Sequence, residues 1–207
     1  MLQCLFSRST RRFGLCGFLA VLFGGVGASS ALASTTPVDT SACSAPTLSQ
    51  SLFAAGDSNW YTMAPGESPD SFAGGGWSLS GGASIITTQL ADGATGSVLD
   101  LPSGATAVSP VICVSADYPT ARMQVRDLVG SEGVSFNVEY AGTKTATAPK
   151  NTGQVHGQQT GWTLSTPVNL QPEKSTGWQL LQIVLAGKGT TSHFQVYNLY
   201  IDPRCSH

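Results

Sequence analysis

Val134-Ser-Phe136-Asn-Val138-Glu-Tyr140 alternates apolar and polar side chains without a slip over seven residues. A segment with that period has one face to bury and one to wet, the mark of a half-buried antiparallel strand and not of a helix. Ala121-Arg122-Met123-Gln124-Val125-Arg126 repeats the pattern, and Gln179 to Leu185 sets Leu181, Ile183 and Leu185 on one face. Between His193 and Ile201 the phase changes: Phe194 and Val196 keep one, Leu199 and Ile201 the other. A bulge near Tyr197-Asn198, inserting one extra residue, would return all four to the same side.

Shorter strand candidates are Trp77–Leu79, Ser84–Thr88, Ser97–Leu101, Val108–Val114 and Trp162–Thr166. Turn-forming residues separate the strands: Ser80-Gly81-Gly82, Ala91-Asp92-Gly93, Pro102-Ser103-Gly104, Val129-Gly130-Ser131 and Gly187-Lys188-Gly189. About eight to ten strands at this spacing, with no long amphipathic helix, predict an all-β antiparallel β-sandwich, jelly-roll-like, with a closed barrel as the alternative. Composition narrows the class further. With 41% hydrophobic and 11% charged residues among 207, the chain is neither disordered nor a helical bundle. A net charge of −2 also lacks the basic excess of a nucleic-acid binder.

Residues 1–33 read as a secretory signal peptide. Arg8, Arg11 and Arg12 precede an apolar, glycine-rich stretch from Phe13 to Ala28, which ends at the small-residue exit Ala31-Leu32-Ala33. Thr10-Arg11-Arg12 leaves both the general and the twin-arginine export routes open. The expected product is secreted, extracellular or in the cell envelope, and carries seven bases and twelve acids. That net charge of −5 argues against phosphate backbones and anionic membranes as partners. Ser34 to Ser51 reads as an extended polar leader, and residues 52–207 as one sheet-rich domain. Cys43, Cys113 and Cys205 remain after removal of the signal, so one disulfide is expected in an oxidising compartment. No Cys-x-x-Cys and no ligand-spaced histidines are present, so neither a metal site nor a cofactor is expected.

Several segments carry a resemblance. Cys43-Ser-Ala-Pro-Thr-Leu-Ser-Gln, Gly56-Asp-Ser-Asn-Trp-Tyr-Thr-Met-Ala-Pro-Gly66, Gly76-Trp-Ser-Leu-Ser-Gly-Gly-Ala83, Ser109-Pro-Val-Ile-Cys-Val114, Tyr118-Pro-Thr-Ala-Arg122 and Tyr200-Ile-Asp-Pro203 occur in that order. Together they resemble a family of secreted actinobacterial proteins of uncharacterised activity. More loosely, Phe194-Gln-Val-Tyr-Asn-Leu-Tyr-Ile-Asp-Pro203 is similar to the last strand of jelly-roll carbohydrate-binding modules and galactose-binding-like domains. Tyr197-Asn198 stand where that pattern has two acids, which removes charge that a structural calcium needs. The resemblance implies a Cys43–Cys113 bridge tying the leader to a central strand, with Cys43–Cys205 as the rival.

Catalytic chemistry finds little support in the residues. No Gly-x-Ser-x-Gly elbow is present, His156 lies in the polar stretch Gly153–Gln159, His193 opens a strand and His207 is terminal. Of Glu67, Glu132, Glu139 and Glu173, only Glu139 sits on a clear strand, so no facing pair of acids for glycoside hydrolysis is defined. Aromatic residues beside amides and acids are the better lead, because indole and phenol rings stack on sugar C–H faces while amides and carboxylates bind hydroxyls. Asp57, Asn59, Trp60 and Tyr61 form one such group, and Gln154, Gln158, Gln159 and Trp162 another. The competing use of Trp60, Trp77, Trp162 and Trp178 is to fill the core. The expectation is a non-enzymatic binding module for polysaccharide or a cell-envelope component. A structural or protein-interaction domain on the cell surface is the alternative, and a hydrolase with an unrecognised site is the third reading.

Overall fold

The computed structural model describes residues 38–53, 56–65, 70–142, 150–159, 161–172 and 176–202. The signal segment, Glu67, Glu173, Cys205 and His207 lie outside the described residues. The alternating stretch Val134–Tyr140 forms β8 with the same bounds, burying Val134, Phe136, Val138 and Tyr140. It pairs antiparallel with β12 (Gln179–Gly187) from Leu181↔Tyr140 to Gly187↔Val134.

Two antiparallel sheets face each other. The seven-stranded sheet runs β10 (Thr163–Leu164), β7 (Thr120–Val129), β13 (His193–Asp202), β4 (Thr95–Pro102), β3 (Ser84–Gln89). In it β1 (Thr62–Met63) adds to β13, and β11 (Val168–Asn169) adds to β7. The six-stranded sheet runs β2 (Ser78–Ser80), β5 (Thr106–Val108), β12, β8, β9 (Lys150–Val155), with β6 (Ile112–Val114) on β12. The chain crosses between sheets from β1 to β2, β2 to β3, β4 to β5, β6 to β7, β7 to β8, β9 to β10, β11 to β12 and β12 to β13. This is the expected jelly-roll-like β-sandwich. Leu99, Leu101, Met123, Phe136, Ile183 and Phe194 fill the space between the layers, fully buried. Each such side chain contributes about 1.5–3 kcal/mol by leaving water.

The phase change in the last strand is a bulge. Tyr197 pairs with Gln124 but Tyr200 with Arg122, so β13 takes three steps where β7 takes two. Asn198 absorbs the extra residue at φ 50°, a left-handed conformation that its short polar side chain tolerates. Phe194, Val196, Leu199 and Ile201 are therefore all buried in the core.

Among the described residues thirteen strands form where about eight to ten were expected, and the surplus consists of short or polar pieces. Val108–Val114 splits into β5 and β6 because Pro110 has no N–H for the ladder. Ser109 covers the break: its N–H donates to Ile183 O and its Oγ accepts from Ile183 N, each at 2.9 Å. The polar stretch around Gly153 contributes to β9, an edge strand on β8 whose composition shows no apolar face. At Gly81 a glycine is required, since φ is +64° and a Cβ would lie 2.6 Å from the Gly104 carbonyl oxygen.

Cys43 is bridged to Cys113 of β6, with Cα atoms 5.7 Å apart, the pairing implied by the resemblance. The leader is also held further along, where Ser49 and Tyr61 exchange backbone hydrogen bonds of 2.9 and 2.8 Å.

Candidate functional site

Strand alternation sends His193, Gln195 and Tyr197 to the outer face of the seven-stranded sheet while Phe194 and Val196 enter the core. On β7 the same rule turns Arg122, Gln124 and Arg126 outward. Register then aligns three strands, because Gln195 stands opposite both Asp100 of β4 and Arg126 of β7.

The side chains in this line are bonded end to end. Arg126 Nε and Nη2 donate to Gln195 Oε1 at 2.8 and 2.5 Å, and Gln195 Nε2 donates to Asp100 Oδ1 at 2.7 Å. His193 Nε2 faces Asp100 Oδ2 at 2.9 Å. At the other end the Arg126 guanidinium lies 4.5 Å from the centroid of the Trp162 ring, the residue just before β10. The Trp162 ring meets Tyr197 nearly at right angles, centroids 4.6 Å apart, and its Nε1–H donates to Gln89 O at 3.1 Å. The β3–β4 turn closes over the same face: Ala91 N donates to the Tyr197 hydroxyl at 3.3 Å, and Arg126 Nη2 to Thr88 Oγ1 at 3.3 Å. Gln195 and Tyr197 are buried, whereas Trp162 and Arg126 are half-exposed and the His193 side chain is 34% exposed. The floor is thus rigid and its two ends are open. Donors, acceptors and an indole are held in place before any ligand arrives, which lowers the ordering cost of binding polyhydroxylated molecules.

The first aromatic group lies toward the other end of β7, on the same outer face. Tyr61 is fully buried and packs with Leu52 and Tyr200, flanked by Met63 and Leu164. Its hydroxyl donates to Asp57 Oδ2 at 2.6 Å, and Arg122 Nη1 pairs with the same oxygen. Burial alone would raise the Asp57 carboxyl. Hydrogen bonds from Tyr61 and the Asn59 backbone, together with the Arg122 charge, outweigh it and hold the group below the ordinary carboxylate range. Tyr61 is pushed up, first by burial and then by its bond to Asp57. Asp57 and Tyr61 thereby fasten the segment to the sheet, and Trp60 between Asn59 and Tyr61 stays 49% exposed. Asp202 Oδ1 is buried with no hydrogen-bond partner among the described residues. Burial, with Asp57 nearby, raises that carboxyl against the opposing pull of Thr120 and Arg122.

Of the second group, Gln158 and Gln159 are exposed on the turn before Trp162, closed by the Gln158↔Gly161 bridge. The turn is anchored on the end of β7, where Asp127 N donates to Gln158 O at 3.3 Å and Gly157 N to Asp127 Oδ1 at 3.1 Å. Gln154 belongs to β9 in the other sheet and is not brought beside Trp162. Trp77 is buried in the core with its Nε1–H on Ser71 O, and Trp178 stacks on Tyr118 at 5.7 Å. His156 is exposed, with Nδ1 3.3 Å from Ser131 O. Sequence reading missed Asp100, Arg126, His193, Gln195 and Tyr197. The signal available was their outward phase on strands already recognised, but phase does not say which outward residues are neighbours across strands. Among the described residues, no group of three or more His, Cys, Asp or Glu could hold a metal, and no helix is long and apolar enough to cross a membrane.

No family model and no curated protein matches the chain. Similar solved structures include the C-terminal family 22 carbohydrate-binding module of Clostridium thermocellum Xyn10B. It is 15% identical with a TM-score of 0.43, over 67% of this chain and 94% of that one. A family 11 module from Clostridium thermocellum, in complex with a β-1,3-1,4-mixed-linked tetrasaccharide, is 12% identical with a TM-score of 0.42, over 71% and 98%. A β-1,3-glucan binding family 6 module from Bacillus halodurans is 20% identical with a TM-score of 0.42, over 60% and 88%. These belong to the class named by the looser of the two sequence resemblances. The likeness to secreted actinobacterial proteins has no counterpart among these three.

Proposed function

We propose that this chain is a secreted, non-catalytic carbohydrate-binding module whose ligand, a polysaccharide or cell-envelope glycan, lies across the outer face of the seven-stranded sheet. One observation carries the reading: a half-exposed indole, Trp162, is held beside a guanidinium, an amide and a carboxylate that are already bonded into a row with His193. Such a surface offers a ring for a sugar C–H face and charged and amide groups for its hydroxyls. Gln158, on the turn before Trp162, is a rim contact. Trp60 is a second ring on the same face, held by Asp57, Asn59 and Tyr61 rather than joined by them in binding. The signal peptide read from residues 1–33 and the Cys43–Cys113 bridge both suit an oxidising compartment outside the cytoplasm.

Calorimetric titration of the purified protein with soluble β-glucans, xylan and mannan, with Trp162→Ala, Trp60→Ala and Asp100→Asn beside it, tests the assignment. The expected result is binding to at least one polymer and a loss of about tenfold or more in Trp162→Ala, near the energy of one stacked ring. Absence of binding to the polymers and to whole-envelope fractions would overturn it. So would a Trp162→Ala protein that binds as the wild type does.

A further inference from the structure

Among the described residues, the strand orders of the two sheets have four ends. Three carry features by which β-proteins keep an edge from pairing with another chain. β2 is three residues long, and the β10 and β11 edge is built of two-residue pieces. β9 contains Lys150 and Gly153 and slips in register against β8. β3 has none of these. Ser84-Ile-Ile-Thr-Thr-Gln89 has no charge, no proline and no glycine, and it pairs with β4 over six residues without a slip. On its other side it meets no strand among the described residues. Its β-branched run is the composition that pairs most readily with a further strand.

Symmetry and charge point to the partner. A neutral strand can meet its own reversed sequence with no like charges opposed. Two antiparallel copies of one strand are related by a two-fold axis perpendicular to the sheet, so both keep the same face on the same side. Residues directly opposite each other share a face, which sets Ile86 against Ile86, Ile85 against Thr87 and Ser84 against Thr88. In that register no charged residue of β3 is opposed to another, since Ser84–Gln89 contains none. Leu79 of β2, 37% exposed, lies one short turn from β3 on the same edge of the sandwich.

We infer that a second copy of this chain adds to the seven-stranded sheet at β3 in this antiparallel register. The two sheets become one continuous sheet, with both outer faces on the same side. Six residues a side bury far less than the ~1,600 Å² of a standard interface, so the pair forms and parts with concentration. The gain in binding rests on the function proposed above: two faces on one shared sheet engage one long polymer together, and linked sites raise apparent affinity without a new contact.

Sedimentation velocity over a concentration series should show the average mass rising toward two chains for the wild type. Thr87→Lys, a charge placed at an exposed position of the edge, should hold the protein at one chain. In a Cys205→Ser background, Ile86→Cys should cross-link rapidly on mild oxidation, since facing Cα atoms of such a pair lie about 4.5–5.5 Å apart. Thr87→Cys in the same background should not, because Thr87 faces Ile85. Thr87→Lys should also weaken retention on insoluble polysaccharide by about tenfold or more while leaving binding of a short soluble oligosaccharide unchanged. A wild type that stays a single chain at millimolar concentration overturns the inference. Thr87→Lys assembling as the wild type does, or Thr87→Cys cross-linking as fast as Ile86→Cys, would do the same. The mass and cross-linking measurements contain no polysaccharide, so failure of pairing and failure of carbohydrate binding register separately.

Discussion

Trp162 and Tyr197 meet with ring planes at 83° and centroids 4.6 Å apart, although they belong to opposite edges of β7: one to the turn before β10, the other to β13. The pair clamps the outer face across the strand that carries Arg126. An edge-to-face contact of this kind is worth about 0.5–1.5 kcal/mol beyond area burial, and the guanidinium adds about 0.5–1 kcal/mol. Trp162→Ala is therefore expected to lose about 2 kcal/mol in urea unfolding, with Trp162→Phe recovering part of it. A Trp162→Ala protein as stable as the wild type would show that neither contact holds the turn to the sheet.

Arg122 and Asp57 form the ion pair that pins the segment around Tyr61, with side chains 17% and 13% exposed. Removing the cation leaves a mostly buried carboxylate with the Tyr61 hydroxyl and the Asn59 N–H but without its counter-charge. Arg122→Met is expected to lose about 2–4 kcal/mol, below or within the range for breaking a buried pair. Asp57→Asn should cost less, because the Arg122 guanidinium it leaves still donates to Ser165 O at 2.9 Å and the amide oxygen still accepts from Tyr61. Thermal melts of the two variants rank them, and the reverse order would refute the account.

The pH response of Asp57 follows from its lowered carboxyl. Stability from this group is fully present above the ordinary carboxylate range and is lost as pH falls through the lowered folded value. Asp57→Asn is therefore expected to destabilise at neutral pH and to match the wild type at strongly acidic pH. Denaturant midpoints at a series of acidic pH values check this, and a gap that stays constant would contradict it.

Asp127 should behave in the opposite sense. Burial beneath the 157–161 turn raises its carboxyl, against a smaller lowering by the Gly157 N–H and the nearby His156. A raised carboxyl binds its proton more readily in the folded state, so stability is greatest below the ordinary range and falls as pH rises through the raised value. Asp127→Asn keeps an acceptor for Gly157 and carries no proton to lose. Its stability is expected to be flatter with pH in that window than the wild type's, and an unchanged slope would refute the assignment.

The Cys43–Cys113 bridge spans a sequence separation of 70. Closing a loop of that size in the unfolded chain stabilises the fold by about 4 kcal/mol on the chain-entropy account. Cys43→Ser, or reductant added to the wild type, is expected to lower the urea midpoint accordingly. A reduced protein with an unchanged midpoint would show that the leader docks without the bridge.

How much was legible can be followed through particular residues. Phe194, Val196, Leu199 and Ile201 announced both a strand and its bulge, because alternation is written in consecutive residues and one inserted residue shifts it visibly. β9 was missed: its edge position leaves Asn151 and Gln154 exposed, and a strand with little to bury has no apolar rhythm to read. Trp162 was singled out from its amide neighbours, yet its working neighbours are others. Arg126 reaches Gln195 across 69 positions and Gln195 reaches Asp100 across 95.

The sequence by itself determined that the chain buries alternate side chains in antiparallel strands and turns at its glycines, because both depend on residues within a few positions of one another. Only the tertiary structure decided which outward side chains share a row, which tyrosine is sealed inside and which tryptophan remains accessible. Those outcomes depend on strand order and register, and these emerge when the two sheets close on a common core.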